Sequence, residues 1–258
     1  MTNDSTDPNG SNNPNDQPTI ICAVRAHAPA LSPPALIFTW LGALVFFLSL
    51  AYFLFSYVTT FGVPASGSGI TASITWNVAL FTVFALHHSV FAREPMRAAI
   101  ARTLPQPLER SFYVWVASLM FIVVCALWRP VPGVAWSVDG PLLWALRALL
   151  AAGIVLTLRS AVVLDIRDLA GLRAARGAIE FKTSGPYGWV RHPIYSGWFL
   201  MVFAVSPMTM TRLVFAVVSC AYLIIAIPFE ERSMRAVAFD RYERYTRQVP
   251  WRLVPRIY

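Results

Sequence analysis

The segment from Thr183 to Gly197 concentrates residues that could do chemistry. It places Arg191 beside His192 and adds two tyrosines, two prolines and three glycines. Proline interrupts helical hydrogen bonding and glycine lets a ligand approach the backbone closely, so the segment predicts a broken stretch of backbone. At membrane depth such a stretch survives only where it is buried in protein or lines a cavity. The alternative is a plain re-entry loop whose arginine and tyrosines meet lipid headgroups.

A pair of adjacent carboxylates, Glu230 and Glu231, stands at the end of the last apolar run. Carboxylates at the edge of a membrane are costly unless they are paired or bind a cation. The alternative is an ordinary solvated pair, supported by Arg235 one helical turn later. The two clusters become informative together, because a helical hairpin would bring His192 and Glu230 close to each other.

The composition of the chain is that of a membrane protein. Its 258 residues are 57% apolar and 13% charged, with a net charge of +8, whereas a soluble domain carries about 25% charged residues. The basic residues are nearly all arginines between apolar runs, which indicates membrane lipids rather than nucleic acid as their partners. Three widely separated cysteines, without any Cys/His spacing typical of zinc, predict neither a disulfide framework nor a metal site.

Six apolar runs predict an all-α polytopic fold of about six transmembrane helices. The first four are long enough to cross about 30 Å of hydrocarbon. The last two are shorter and closely joined, which indicates a helical hairpin. The predicted runs are 35–58, 74–91, 112–128, 141–164, 194–205 and 213–229. A charged amphipathic helix is predicted over 230–247, either on the membrane surface or over the mouth of the hairpin.

These elements divide the chain into three parts. Residues 1–34 are rich in Asn, Asp, Ser and Pro and predict a disordered tail. Residues 35–164 form the predicted four-helix transmembrane region. Residues 165–258 form the predicted core, with the hairpin and a cytosolic tail.

The distribution of basic residues predicts the orientation in the membrane. The loops 93–110 and 165–193 and the tail after 230 hold four, five and seven basic residues, whereas 59–73, 129–140 and 206–212 hold zero, one and one. Arginine-rich loops stay in the cytosol. We therefore expect both termini in the cytosol, with the protein in the inner membrane if the cell is bacterial.

At two levels the sequence resembles known families. GPYGWVRHPIYSGWF, followed by FEERSMRAVAFDRYERYTRQVP, resembles the C-terminal core of the isoprenylcysteine carboxyl methyltransferase and phospholipid methyltransferase superfamily, over roughly residues 179–255. Further upstream, FALHHSVFAR (84–93), PLERSFYVWVASL (107–119), LWRPVPGVAW (127–136) and DLAGLR (168–173) are similar to the methanethiol S-methyltransferase branch of the nurim/NnrU-like family.

This resemblance implies S-adenosylmethionine as the methyl donor. Glu230 would neutralise its ammonium group, and the ring of Tyr187 or Tyr195 would face its sulfonium. The resemblance carries the following cofactor contacts onto this chain: Ile179, Glu180, Phe181, Lys182, Tyr187, His192, Pro193, Ile194, Tyr195 and Glu230. As the catalytic residues we expect Arg191 and His192, either of which could lower the pKa of an acceptor thiol or take its proton.

Two departures from the family patterns concern the acceptor. Isoprenylcysteine enzymes carry an arginine one helical turn before the counterpart of Glu230, where this chain has Ala226. The thiol-methylating branch has a histidine just before the DL-x-GLR stretch, where this chain has Asp165 and Ile166. His87 and His88 are weaker candidates, because neighbours on a helix face different sides and a structural histidine is common.

The favoured function is S-methylation of a small thiol, methanethiol to dimethyl sulfide. The alternatives are methylation of isoprenylcysteine or of phospholipid, which would make the substrate lipid-like. A non-catalytic nurim-like membrane protein is an alternative of a different class. A nicotinamide enzyme similar to sterol reductases is a further one, which the short chain disfavours.

Overall fold

Long apolar helices dominate the computed structural model, which describes residues 31–91, 96, 99–100, 102, 104, 106–172 and 181–258. Among these residues, five helices are long and apolar enough to cross a membrane. They are α1 (Pro33–Val58), α2 (Ile70–Phe91), α3 (Gln106–Leu127), α4 (Gly140–Val163) and α7 (Met210–Gln248). They turn large apolar side chains such as Trp40 and Val162 outward, which only lipid can solvate in such number. The all-α polytopic membrane fold is confirmed, whereas the tail predicted over 1–34 lies almost wholly outside the described residues.

Short elements complete the fold between the long helices. They are α5 (Ile166–Leu169), a 3₁₀ turn (Gly185–Gly188), α6 (Pro193–Phe203), and the strands β1 (Val134–Trp136) and β2 (Met208–Thr209). The two strands pair antiparallel, with Val134 opposite Thr209.

The hairpin differs in its proportions from the prediction. Its first arm, α6, has 11 residues and a length of roughly 16 Å, which is about half of the hydrocarbon thickness. Its second arm, α7, has 39 residues and passes through Glu230 into the predicted amphipathic helix without a break. Within that helix the backbone leaves helical angles at Ala238, where α7 kinks. The last predicted span and the charged tail helix are therefore continuous up to Ala238.

An aromatic core packs around Phe215 on α7. The Phe215 ring is fully buried, and its centroid lies 5.1–6.2 Å from those of six other rings. Those rings belong to Phe53, Tyr57, Phe61, Phe81, Trp128 and Trp198. Because they come from α1, α2, α6 and the segments after α1 and α3, α7 is the central helix of the bundle.

The far end of the bundle, where α1 and α3 end and α7 begins, is closed by a buried arginine. The guanidinium of Arg212 donates hydrogen bonds to the carbonyl oxygens of Tyr57, Val58 and Pro207 at 2.8, 2.8 and 2.7 Å. The last carbonyls of a helix have no partner within the helix and carry partial negative charge. Arg212 therefore serves as a cap for α1, and this end of the molecule has a structural role.

The opposite end, where α2 and α4 end and α3 and α6 begin, is called the site end below. There α4 and α6 cross at two glycines, Gly153 and Gly197, with their backbones in contact. A Cβ atom on Gly153 would stand 2.9 Å from the Gly197 carbonyl oxygen, and one on Gly197 would stand 2.2 Å from the Thr157 hydroxyl. Small residues at such crossings allow the close packing that holds helices together in lipid. The crossing sets the position of α6 and of the residues that precede it.

We expect Gly153→Leu to lower the free energy of unfolding in detergent by about 1–3 kcal/mol, because overpacking forces α6 away from α4. Ala152→Leu is the matched control, since Ala152 is exposed on the same helix and can take a larger side chain towards lipid. Thermal unfolding of both purified variants measures the difference. Equal stability of the two variants would show that the crossing tolerates a side chain.

Candidate active site at the hairpin mouth

The chain enters α6 through a turn that only glycine and proline allow. Gly185 has a φ of 57°, a left-handed conformation that glycine adopts without strain. A Cβ on Gly188 would stand 2.7 Å from the Thr183 carbonyl oxygen. Pro193 then occupies the first turn of α6, where its missing N–H is not needed. This turn places Arg191 and His192 directly in front of the helix.

His192 lies between the two carboxylates of α7. Its Nδ1 is 3.6 Å from Glu230 Oε2, and its Nε2 is 3.5 Å from Glu231 Oε1. The imidazole is buried, and its Nε2 has no hydrogen-bond partner among the described residues. The hairpin thus brings His192 and Glu230 together, as the sequence predicts.

Glu230 is held by a tyrosine and stays partly open. The Tyr195 hydroxyl donates a hydrogen bond of 2.5 Å to Glu230 Oε1. The ring of Tyr195 stacks on that of His192, with centroids 5.4 Å apart. The Glu230 side chain is nevertheless 38% exposed, so its carboxylate is oriented by protein and can still meet a cation from outside.

Glu231 is the opposite case, a carboxylate fully enclosed by cations. Its oxygens receive hydrogen bonds from Arg191 Nε at 2.9 Å and from Arg252 Nη2 at 3.0 Å, with Arg235 3.9 Å away. The side chain has no exposed surface. The hydrogen bond to Glu231 raises the pKa of Arg252 above its ordinary value, which keeps this partner charged. Sequence reasoning missed the role of Glu231, although two adjacent carboxylates on one helix necessarily face different sides.

The chain after α7 folds back onto the hairpin mouth. The backbone N–H groups of Arg191 and His192 donate to the carbonyls of Trp251 and Arg252, each at 2.9 Å. The Ser196 hydroxyl donates to the Leu253 carbonyl at 2.6 Å. These contacts hold the chain after α7 at the mouth of the hairpin.

Arg191 joins the same contacts with its side chain. Its Nη1 donates to the carbonyl oxygens of Val249 and Pro250 at 2.8 and 2.7 Å, in addition to its bond with Glu231. The guanidinium is thereby directed into the protein and holds the tail in place.

The other predicted cofactor contacts are distributed as follows. Phe181 packs its ring against Tyr242 and Tyr245 of α7, with centroids 5.2 and 5.6 Å apart. Tyr187 is buried near them, and burial, reinforced by Tyr245 and Glu230, raises its pKa, so the phenol stays protonated. Pro193 and Ile194 open α6. Ile179 and Glu180 lie outside the described residues.

A separate cavity of about 580 Å³ lies beside Lys182. Its other lining residues are Val162, Val163, Leu164, Asp165, Ile166, Arg167 and Asp168. Lys182 is the only predicted site residue that lines it, so among the described residues the cavity is not the space between His192, Tyr195 and Glu230.

We expect Glu231→Gln to destabilise the protein by about 3 kcal/mol, because it leaves Arg191 and Arg252 without the buried anion that they share. Thermal unfolding and the rate of tryptic cleavage within the tail measure this effect. Glu243→Gln is the matched control, since Glu243 pairs with Arg235 on a partly exposed surface and is worth at most about 1 kcal/mol. Equal melting of the two variants would contradict the importance of the buried cluster.

Comparison with known proteins identifies the family of the chain. Residues 174–236 match the isoprenylcysteine carboxyl methyltransferase (ICMT) family, and this range contains α6, the first part of α7 and both carboxylates. The methanethiol S-methyltransferase of Crocosphaera subtropica is 37% identical over 203 residues, which cover 74% of this chain and 78% of that protein. The methanethiol S-methyltransferase of Mycobacterium tuberculosis is 36% identical, with coverages of 72% and 82%. The nurim homolog of Drosophila melanogaster is 25% identical, with coverages of 58% and 66%. No solved structure matches the chain.

The apolar helices and the similarities over the hairpin define this protein as a membrane-embedded methyltransferase. More narrowly, the chain belongs to the same family as the methanethiol S-methyltransferases. The resemblance found in the sequence is thereby confirmed.

Proposed function

We propose that the hairpin mouth binds S-adenosylmethionine and that the methyl acceptor is methanethiol, which becomes dimethyl sulfide. The observation that carries the proposal is the Glu230 carboxylate, which is oriented by Tyr195 and yet 38% exposed. A carboxylate kept open at the end of a transmembrane helix is costly unless a cation meets it. The relatives named methanethiol S-methyltransferases support the choice of acceptor.

The residues at the mouth fit the proposed donor. Glu230 offers a negative charge to the ammonium group of S-adenosylmethionine. His192 lies against the same carboxylate, with its Nδ1 3.6 Å from Glu230 Oε2. When bound, S-adenosylmethionine would supply an electrophilic methyl group on a sulfonium. The remaining predicted contacts, from Ile179 to Ile194, stay predictions.

The catalytic assignment of Arg191 and His192 also stays a prediction, and their contacts support other roles for them. Arg191 donates three hydrogen bonds to Glu231, Val249 and Pro250, so we assign to it the positioning of the tail. His192 lies between Glu230 and Glu231, so we assign to it the donor side of the site. Neither assignment provides a group that takes the proton of the acceptor.

A small apolar acceptor suits the residue that precedes Glu230 by one turn. Ala226 stands there, and its methyl group cannot pair with a substrate carboxylate. An isoprenylcysteine would lose that partner, whereas methanethiol has no carboxylate to place. This residue therefore favours the small thiol over the lipid-like substrates.

We expect Glu230→Gln and His192→Ala to weaken binding of S-adenosylmethionine about tenfold to a hundredfold, because each removes a polar contact to the ligand. Isothermal titration of the purified protein measures the affinity. Asp240→Asn is the control, since Asp240 is an exposed acid further along α7 and should leave the affinity unchanged. Absence of binding by the wild type would refute the methyltransferase proposal.

If binding holds, headspace detection of dimethyl sulfide from cells supplied with methanethiol tests the acceptor. Methylation of a lipid instead would overturn the assignment of methanethiol as the acceptor.

We also propose that the site end faces the cytosol, as the arginine-rich loops predict. We expect a membrane-impermeant thiol reagent to label Ser68→Cys in intact cells and Lys182→Cys only after lysis, in a background without the native cysteines. Both positions are exposed on the protein, so a difference in their labelling reports the side of the membrane and not burial within the protein. The reverse labelling pattern would invert the proposed topology.

A further inference from the structure

A second polar pair lies at the site end, on the helices that the hairpin does not include. Nδ1 of His88 on α2 is 2.9 Å from the hydroxyl oxygen of Tyr113 on α3. The same hydroxyl lies 3.3 Å from the His88 carbonyl oxygen, to which it can donate. With that donation, Nδ1 carries the proton that bonds to Tyr113, and Nε2 is left with its lone pair.

The pair adjoins the proposed methyl-transfer site. Tyr113 interacts electrostatically with Glu230 and with Tyr195, and Tyr195 is itself bound to Glu230. Tyr113 is therefore bonded to His88 and lies near enough to the carboxylate that we assign to the donor to feel its charge.

The packing of α7 against α2 places a small residue opposite this pair. The Tyr222 hydroxyl of α7 donates to Thr82 of α2 at 2.6 Å. Ala226 and Glu230 follow Tyr222 at four-residue steps, so all three lie on the face of α7 that looks towards α2. The helices run in the same direction towards the site end, where His88 follows Thr82. Ala226 therefore lies at about the depth of His88.

The His88 side chain is exposed, so a small molecule can reach it. Among the described residues, the His88 side chain forms a hydrogen bond only with Tyr113.

We propose that His88, oriented by Tyr113, is the general base that takes the proton of the acceptor thiol. The proposal rests on the proposed function. It assigns the proton-accepting group, which neither Arg191 nor His192 provides. The S–H bond breaks with its electron pair staying on sulfur, and the proton forms an N–H bond at Nε2 of His88, from which it passes to water. The acceptor sulfur forms its bond to the methyl carbon, while the electrons of the broken methyl–sulfonium bond remain on the donor sulfur.

Several charged or titratable groups face this pair and contribute to its pH dependence. They are Arg110 beside Tyr113, His87 on α2, Tyr195 on α6 and Glu230 on α7. Arg110 and Glu230 act on Tyr113 with opposite charges.

The test compares thiols of different acidity in His88→Gln, Tyr113→Phe and the wild type. With methanethiol near neutral pH, we expect His88→Gln to lower kcat/KM about a hundredfold or more, and Tyr113→Phe to lower it less, because the base keeps its nitrogen and loses its orientation. With an aromatic thiol that is already ionised at this pH, the deficit should disappear, since no proton remains to be taken. Raising the pH should likewise restore the reaction of methanethiol.

Two further measurements distinguish a failure of the His88 proposal from a failure of the proposed function. Affinity for S-adenosylmethionine should be unchanged in both variants, because neither residue is assigned to the donor. Ser89→Ala, the next residue on α2, is the matched control and should keep the wild-type rate. A methanethiol rate in His88→Gln equal to that of the wild type would overturn the proposal, and so would an equal deficit with both thiols. Failure of the wild type to methylate any thiol would instead refute the proposed function.

Discussion

The buried carboxylate of Glu231 couples three parts of the chain that are far apart in sequence. Transferring such a charge out of water costs several kcal/mol, and only close cations can offset that cost. Arg191 arrives from the turn before α6 and Arg252 from the chain after α7, and both bind the same carboxylate. If Arg191 or Arg252 moves away, the buried carboxylate of Glu231 loses one of its close cations. The position of α6 at the mouth, the end of the transmembrane part of α7 and the returning tail are therefore set together.

Charges at the two ends of the bundle stabilise it in different ways. At the far end, the cation of Arg212 is satisfied by neutral carbonyl oxygens at the end of α1, so a helix terminus supplies the negative potential. At the site end, the anion of Glu231 is satisfied by full positive charges. Lipid gives helices no hydrophobic reason to associate. These polar contacts hold the helices together. The glycine crossing of α4 and α6 and the rings around Phe215 contribute to the same association.

Hydropathy and loop composition were sufficient to predict the helices and the proximity of His192 to Glu230. The helices and the hairpin that brings these two residues together both follow from patterns along the chain. The continuity of α7 was not predictable, since the change from apolar to charged residues at Glu230 marks the edge of the membrane and not the end of a helix. Nor could the pattern tell Glu230 from Glu231. Neighbouring residues on a helix differ by about 100° in direction, and which one faces inward depends on how α7 packs. Most of the tail contacts use carbonyl oxygens of residues 249–253, which leave no signature in the side chains of the tail.

The division of labour between the two carboxylates follows from the chemistry of the proposed reaction. A sulfonium and a thiolate lose their opposite charges as they react, so a site of low polarity favours the transition state over the separated ions. A free carboxylate near the reacting atoms would work against this, unless its charge is already matched. Glu231 is matched by arginines of the protein, and Glu230 would be matched by the ammonium of the donor. The fixed charges of the site are then neutralised in pairs. In the methyl transfer between α6, α7 and α2, only the sulfonium and the thiolate change their charge.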